Sequence, residues 1–255
     1  MKNKTRVSLA LGLWGLLVVL SGVTGAQEQK SQLYSITEIA VKPAMIAKFE
    51  TAIKKEIELG YPLPFQTYSR DDYRYYILMP IENYAGIDAI NKAEKEWAMK
   101  IGKEYVALME SVAGAIAYYQ SGVVRLLPEL SYVPKKPKFK PEEQEFITWG
   151  LASVEFGKEK EFSDVCRQFV EACESKDTSL GWNMYVVEAG EEAPFYFWAE
   201  GGQSAAEYYA ENDKVLKKMG EDKFAELWGK FLGTVRKFET KTGQPRPDLS
   251  NMPKD

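Results

Sequence analysis

The sequence predicts an α+β fold in which one order of elements, β-α-β-β-α-β, is written twice. Two observations lead there. Residues 128–134 read PELSYVP and residues 247–253 read PDLSNMP, nearly the same phrase 119 positions apart. The residues before the phrase also match in kind at that offset: Tyr105, Leu108, Met109, Val112, Gly114 and Ile116 meet Phe224, Leu227, Trp228, Phe231, Gly233 and Val235. Further upstream the offset becomes 113, with Val41 and Phe49 meeting Val154 and Phe162, as loop insertions would produce. An ungapped run of pattern-matched positions points to a tandem duplication rather than to two similar proline-rich tails.

The elements follow in order. Residues 1–26 begin with Lys2, Lys4 and Arg6, continue through an apolar run from Val7 to Leu20 and end in small residues. A basic start, a short apolar middle and an A-x-A-like end read as a secretory signal peptide. The apolar run is shorter than the roughly 20 residues a spanning helix needs, so cleavage and export are expected over anchoring. The first repeat, 31–134, opens with the β-rich YSITEIAV (34–41), then a helix from Pro43 to about Glu58, with Pro favourable in a first turn. PFQTYS (64–69) and YRYYILMPI (73–81) flank Arg70-Asp71-Asp72, a hairpin signal. One long helix from about Tyr84 to Ser111 and the strand GAIAYYQ (114–120) complete it. Residues 135–145, inside the stretch YVPKKPKFKPEEQEF, are a Pro- and Lys-rich linker. The second repeat, 146–255, has FITWGLASVEF, a helix over 157–175, GWNMYVVE, PFYFWAE, a helix over 204–229 and GTVRKFET. This order is the split βαβ arrangement of ferredoxin-like folds.

Each copy resembles the dimeric α+β barrel superfamily, the group that includes antibiotic-biosynthesis-monooxygenase-like domains. The resemblance is carried by the opening strand ending in Val41-Lys42-Pro43 with Phe49 on the following helix, by VEFGKEKEF (154–162), and by the long second helix and last strand. It spans nearly all of the chain after residue 26 and bears on fold more than on reaction. It implies that the two ferredoxin-like repeats pair into one pseudo-dimeric barrel inside a single chain, with the tail phrases reaching across to the partner repeat. Oligomers are compatible with this arrangement but not needed to close the barrel. Some members of the superfamily degrade haem or oxidise polycyclic aromatic molecules without a conventional cofactor; those that hold haem commonly use a histidine.

This chain has no histidine. That removes Ser-His-Asp and Cys-His catalysis, ordinary zinc chemistry and a histidine-ligated haem. No cofactor and no metal are expected. The formal charge is −4 for the whole chain; losing residues 1–26 removes three cations and no anions and brings it to −7. A mildly acidic surface offers no footprint for nucleic acid, and the run KKPKFK (135–140) reads as linker solvation. Cys166 and Cys173 lie on one stripe of a helix, about 10.5 Å apart along it, too far for a bridge. They read as buried small hydrophobes.

Strand alternation assigns the candidate site. In the opening strands, Ser35, Thr37, Ile39 and Val41, like Thr148, Gly150, Ala152 and Val154, suit packing under helices. The opposite set is Tyr34, Ile36, Glu38 and Ala40, with Ile147, Trp149, Leu151 and Ser153, and is assigned to the barrel interior. Glu38 is a carboxylate on an otherwise apolar face, where an unpaired charge costs several kcal/mol. The functional reading makes it a ligand-binding or proton-handling group in a pocket walled by Tyr34, Trp149 and middle-strand aromatics. Tyr75, Trp182, Phe195, Phe197 and Trp198 are candidates for those, with Asn183 and Arg236 as polar partners. The structural alternative pairs Glu38 with Arg74 or Arg236. No catalytic constellation stands out, so the leading expectation is an exported protein that binds a small apolar or aromatic molecule in the barrel. A cofactor-independent monooxygenase or isomerase, and a structural module with a self-filled barrel, are the alternatives.

Overall fold

The structure, a computed structural model, describes residues 30–253; the segment read as a signal peptide lies outside the described residues. Eight strands form one closed antiparallel barrel. They are β1 (Leu33–Val41), β2 (Gln66–Arg70), β3 (Arg74–Ile81), β4 (Ile116–Leu126), β5 (Phe146–Val154), β6 (Asn183–Ala189), β7 (Phe195–Gly202) and β8 (Val235–Pro245). Around the barrel they run β1-β3-β2-β8-β5-β7-β6-β4. The two halves of the chain meet at two seams. At one, Tyr68, Ser69 and Arg70 pair with Pro245, Gln244 and Gly243. At the other, Val123–Leu126 pair with residues 185–189. Closure leaves no sheet edge among these strands, which removes the unpaired backbone groups an open edge would expose.

Among the described residues six α-helices cover the outside of the barrel: α1 (Ile46–Glu58), α2 (Ala85–Ile101), α3 (Lys103–Val112), α4 (Glu159–Ser175), α5 (Ala205–Met219) and α6 (Glu221–Leu232). The sequence predicts one long helix where α2 and α3 stand, and one where α5 and α6 stand. Each is broken at a glycine with positive φ, Gly102 at +57° and Gly220 at +97°. Backbone in that region ends an α-helix, and glycine adopts it without a Cβ clash. The last strand of each half also runs longer than predicted, since β4 and β8 continue to Leu126 and Pro245 to make the seams.

The outward faces of β1 and β3 pack under α1, α2 and α3 in a cluster that includes Val41, Phe49, Ile53, Tyr75, Trp97 and Leu108. The matching cluster on the other half gathers Ala152, Val154, Phe162, Cys166, Met184 and Phe231. Cys166 and Cys173 are buried free thiols in two different clusters. Burial pushes their pKa values up, to about 12 and about 11, so neither is poised as a thiolate nucleophile.

The two phrases dock alike. Pro128–Leu130 and Pro247–Leu249 each form a single 3-10 turn, and the leucine of each is buried, Leu130 in the cluster under α4 and Leu249 in the cluster under α1. The following serine closes the turn and ties it to a strand of the other half. Ser131 Oγ donates to Leu127 O at 2.8 Å and accepts from Met184 N at 2.9 Å. Ser250 Oγ donates to Arg246 O at 2.8 Å and accepts from Thr67 N at 2.9 Å. One residue further on, Tyr132 bridges to Trp182 and Asn251 bridges to Phe65. Each phrase thus supplies an apolar plug and hydrogen-bond partners for backbone that would otherwise be unsatisfied.

Candidate functional site

Alternation along the strands decides what enters the barrel. In β1 the inward residues are Tyr34, Ile36 and Glu38; in β5 they are Ile147, Trp149 and Leu151; all six line a cavity of about 1260 Å³. Part of the interior is filled by the chain itself, because Tyr34, Leu78, Val124, Leu126 and Tyr185 form a buried cluster with Tyr68, Tyr76 and Phe197 against it. Rings there meet stacked, edge-on or tilted: Tyr185 stacks on Phe197 at 4.8 Å, Tyr34 meets Tyr185 edge-on at 6.3 Å, and Trp149 lies between Tyr68, edge-on at 6.4 Å, and Tyr76, tilted at 6.2 Å. Burial raises the Tyr34 hydroxyl to about 12, and it also pushes Tyr68 and Tyr185 up. All three phenols are therefore neutral near pH 7 and present hydroxyls, not phenolates, to a ligand.

Charge gathers at the end of the barrel where β1 and β2 finish. Glu38 accepts hydrogen bonds from Arg74 and Tyr118. Burial alone would raise the Glu38 pKa, but hydrogen bonds from Tyr118, Tyr76 and Arg74 outweigh it and hold the carboxyl below its usual range. The carboxylate is thus ionised and paired, and the guanidinium of Arg74 also lies over the Tyr118 ring at 5.3 Å. Arg70, at the last position of β2, is 9% exposed. Its Nη1 donates to Tyr76 Oη at 2.6 Å and its Nη2 to Asp72 Oδ2 at 2.5 Å, on the turn between β2 and β3. The Nε of Arg70 is buried without a hydrogen-bond partner. On β8, Lys237, Glu239 and Lys241 also line the cavity.

Of the residues singled out in the sequence, Tyr34, Glu38, Trp149 and Asn183 line the cavity together, as do Phe195 and Phe197. Trp182 borders it, with its indole N–H donated to Leu130 O at 2.8 Å and its ring on Tyr132 at 5.4 Å. Tyr75 takes the opposite face of β3, packing on Phe49 at 4.9 Å and donating to Glu50 at 2.7 Å. The register explains it: Arg74, Tyr76 and Leu78 point inward, so Tyr75 points to α1. Trp198 is outside for the same reason, stacked on Phe238 at 5.6 Å. Arg236 precedes the inward Lys237 and so points away, to Glu192 at 2.6 Å and to Val154 O. The partner of Glu38 is Arg74, not Arg236. Sequence reasoning missed Arg70, Tyr76 and Tyr118 as members of the site. The signal for Tyr76 and Arg74 was their even spacing in YRYYILMP, legible once β3 is known to begin at Arg74.

Among the described residues no group of three His, Cys, Asp or Glu side chains could hold a metal ion. No helix among them is long and apolar enough to cross a membrane.

No family model matches the chain, and no curated protein does. Solved structures do match it. One is an anthrone oxidase-like protein, 12% identical over 86% of this chain and 92% of its own, with a TM-score of 0.56. Another is a provisionally assigned monooxygenase from Lactobacillus acidophilus, 11% identical over 88% of this chain and 97% of its own, at 0.53. A third, also provisionally assigned a monooxygenase, comes from Fusobacterium nucleatum and is 12% identical over 84% and 92%, at 0.50. At such identities the likeness speaks to the fold alone, a closed eight-stranded antiparallel barrel with helices outside it. Reaction and ligand have to be argued from the site.

Proposed function

We propose that the barrel is a receptor for a small, largely aromatic molecule. The observation that carries this reading is the cavity of about 1260 Å³, whose walls combine Trp149, Tyr34, Tyr68 and Phe197 with one polar network around Glu38. Apolar walls with a few convergent polar groups are the usual make-up of a small-molecule site. Glu38, Tyr34, Trp149 and Asn183 are the residues we assign to contact. Native mass spectrometry of the full chain purified from its source tests the reading. A mass above that of the chain, released on denaturation, is expected; a bare chain that also takes up no aromatic probe would sink it.

A second reading is oxygenation of such a molecule without a bound cofactor. The likeness in fold to proteins named as oxygenases favours it, and so does the ionised Glu38, which could accept a proton from a phenolic substrate. Oxygen uptake with hydroquinones, lost in Glu38→Gln, is the expected sign; binding without uptake leaves the receptor.

We also read the chain as two ferredoxin-like repeats from a tandem duplication, supported by the identical element order of residues 33–126 and 146–245 and by the paired tail phrases. The protein is proposed to be exported with residues 1–26 removed. An intact mass including those residues after secretion would argue against that.

A further inference from the structure

Arg70 is the least settled charge in the cavity wall. Its side chain is 6% exposed, and a buried guanidinium normally has its N–H groups matched with acceptors. Here Nη1 and Nη2 have partners, while Nε has none. The partner of Nη2 is Asp72, whose side chain is 46% exposed on the turn after β2. Nε and Nη2 make up one edge of the guanidinium, the edge that a carboxylate grips with both oxygens. Asp72 therefore occupies half of a bidentate site, and does so from a turn next to solvent.

The surroundings suit an incoming organic anion. Gly243 pairs with Arg70 across the β2–β8 seam, and Lys241 is its neighbour two residues along, on the same face. Such a diagonal neighbour lies roughly 7–8 Å away. Lys241 reaches only a distant carboxylate, Glu239 at 4.0 Å. Lys241 is also directly opposite Trp149 in the β5–β8 ladder, and Trp149 is the ring that lies between Tyr68 and Tyr76. Two cations and three aromatic rings thus border one part of the cavity.

We propose that this part of the cavity binds the carboxylate of an aromatic acid, with the ligand displacing Asp72 and taking Nε and Nη2 of Arg70 together. Asp72 is then a built-in stand-in for the ligand's anion: it keeps Arg70 paired when the site is empty and turns to solvent when the site fills. The inference rests on the barrel being a binding chamber and adds the chemical class of what it holds.

Calorimetry with 2-naphthoate and its uncharged relative 2-naphthylmethanol separates the two claims. The full chain is expected to bind naphthoate at least about tenfold more tightly, as a charge-assisted bidentate contact requires. Asp72→Ala removes the competing carboxylate and should tighten naphthoate several-fold while leaving the alcohol unchanged. Arg70→Gln should abolish the preference for the acid; should that variant not fold, the gain in Asp72→Ala decides alone. Equal affinity for acid and alcohol, or no gain in Asp72→Ala, overturns this inference and leaves the chamber standing. Binding of neither probe overturns both.

Discussion

The two halves of the barrel hold the same positions in register and fill them differently. Glu38 lies opposite Tyr76 on one side and Gln120 on the other; Leu151 lies opposite Phe197 and Glu239. Ala40 meets Arg74 where Ser153 meets Phe195. A carboxylate, a phenol and a guanidinium in the N-terminal half thus correspond to a leucine and two phenylalanines in the C-terminal half. The tail phrases show the reverse, with the same plug and the same serine bonds in both. The difference teaches where the constraints lie. Positions that close the frame are alike because each half needs the same backbone groups satisfied and the same groove filled. Interior positions diverge because the lining need not repeat: the N-terminal half sets Glu38, Tyr76 and Arg74 where the C-terminal half has Leu151, Phe197 and Phe195, and the C-terminal half instead brings Lys237, Glu239 and Lys241 to the cavity from β8.

The largest effects should come from breaking what the halves share. Leu130→Ala and Leu249→Ala each remove a buried plug, 2% and 0% exposed. Each should cost about 2–5 kcal/mol by chemical denaturation, and the two should be similar. A cost below about 1 kcal/mol for either would mean that its phrase does not seal the fold.

A smaller effect separates the helical layers. Burial, with Glu94 nearby, raises the Glu56 pKa to about 7, and Glu94 itself accepts from Tyr61 at 2.7 Å. A carboxyl with a raised folded pKa contributes stability at low pH that is lost as the pH rises from about 4.5 through about 7. Glu56→Gln should therefore stabilise the protein by on the order of 1–2 kcal/mol at pH 8 and have little effect near pH 4.5. A gain independent of pH would point to packing instead. The C-terminal half has a counterpart in Glu200, whose pKa burial also raises, with hydrogen bonds from Tyr208 at 2.6 Å and Trp198 at 3.0 Å opposing the shift.

Ser131→Ala and Ser250→Ala should each cost about 1–2 kcal/mol, since each leaves a backbone N–H, of Met184 or Thr67, without its acceptor. The phrases then part company in acid. The C-terminal phrase is held by ion pairs that, among the described residues, the other lacks: Arg246 bridges Glu50 and Asp248, and Lys54 reaches Asp248 at 3.0 Å. Hydrogen bonds from Arg246 hold the pKa values of Glu50 and Asp248 below the usual carboxylate range. That stabilisation is complete above about pH 4.5 and fades as the pH falls through the depressed folded values. Amide exchange at pH 3 should therefore open Leu249–Asn251 before Leu130–Tyr132. The reverse order would show that the ion pairs do not secure the tail.

Much of this molecule was legible in its residues. The repeated phrase, the strand alternation of YSITEIAV and FITWGLASV and the helical stripes led to the element order, to the interior placement of Tyr34, Glu38 and Trp149, and to buried cysteines. Those follow from local periodicity, and periodicity is a property of the chain. Tyr75 and Arg236 show the limit. Each sits one residue from an inward neighbour, and only the register of β3 against β1 and of β8 against β5 tells which of the two faces the barrel. The splits at Gly102 and Gly220 were open to notice as glycines, yet their positive φ depends on how α3 and α6 turn back onto the sheet. The site itself was decided by tertiary structure. Arg70 is at the end of a five-residue strand, and nothing near it in sequence says that Tyr76, Lys241 and Trp149 surround it. That neighbourhood exists because the barrel closes across the β2–β8 seam, bringing together residues that lie 171 positions apart, and closure is a property of the whole chain.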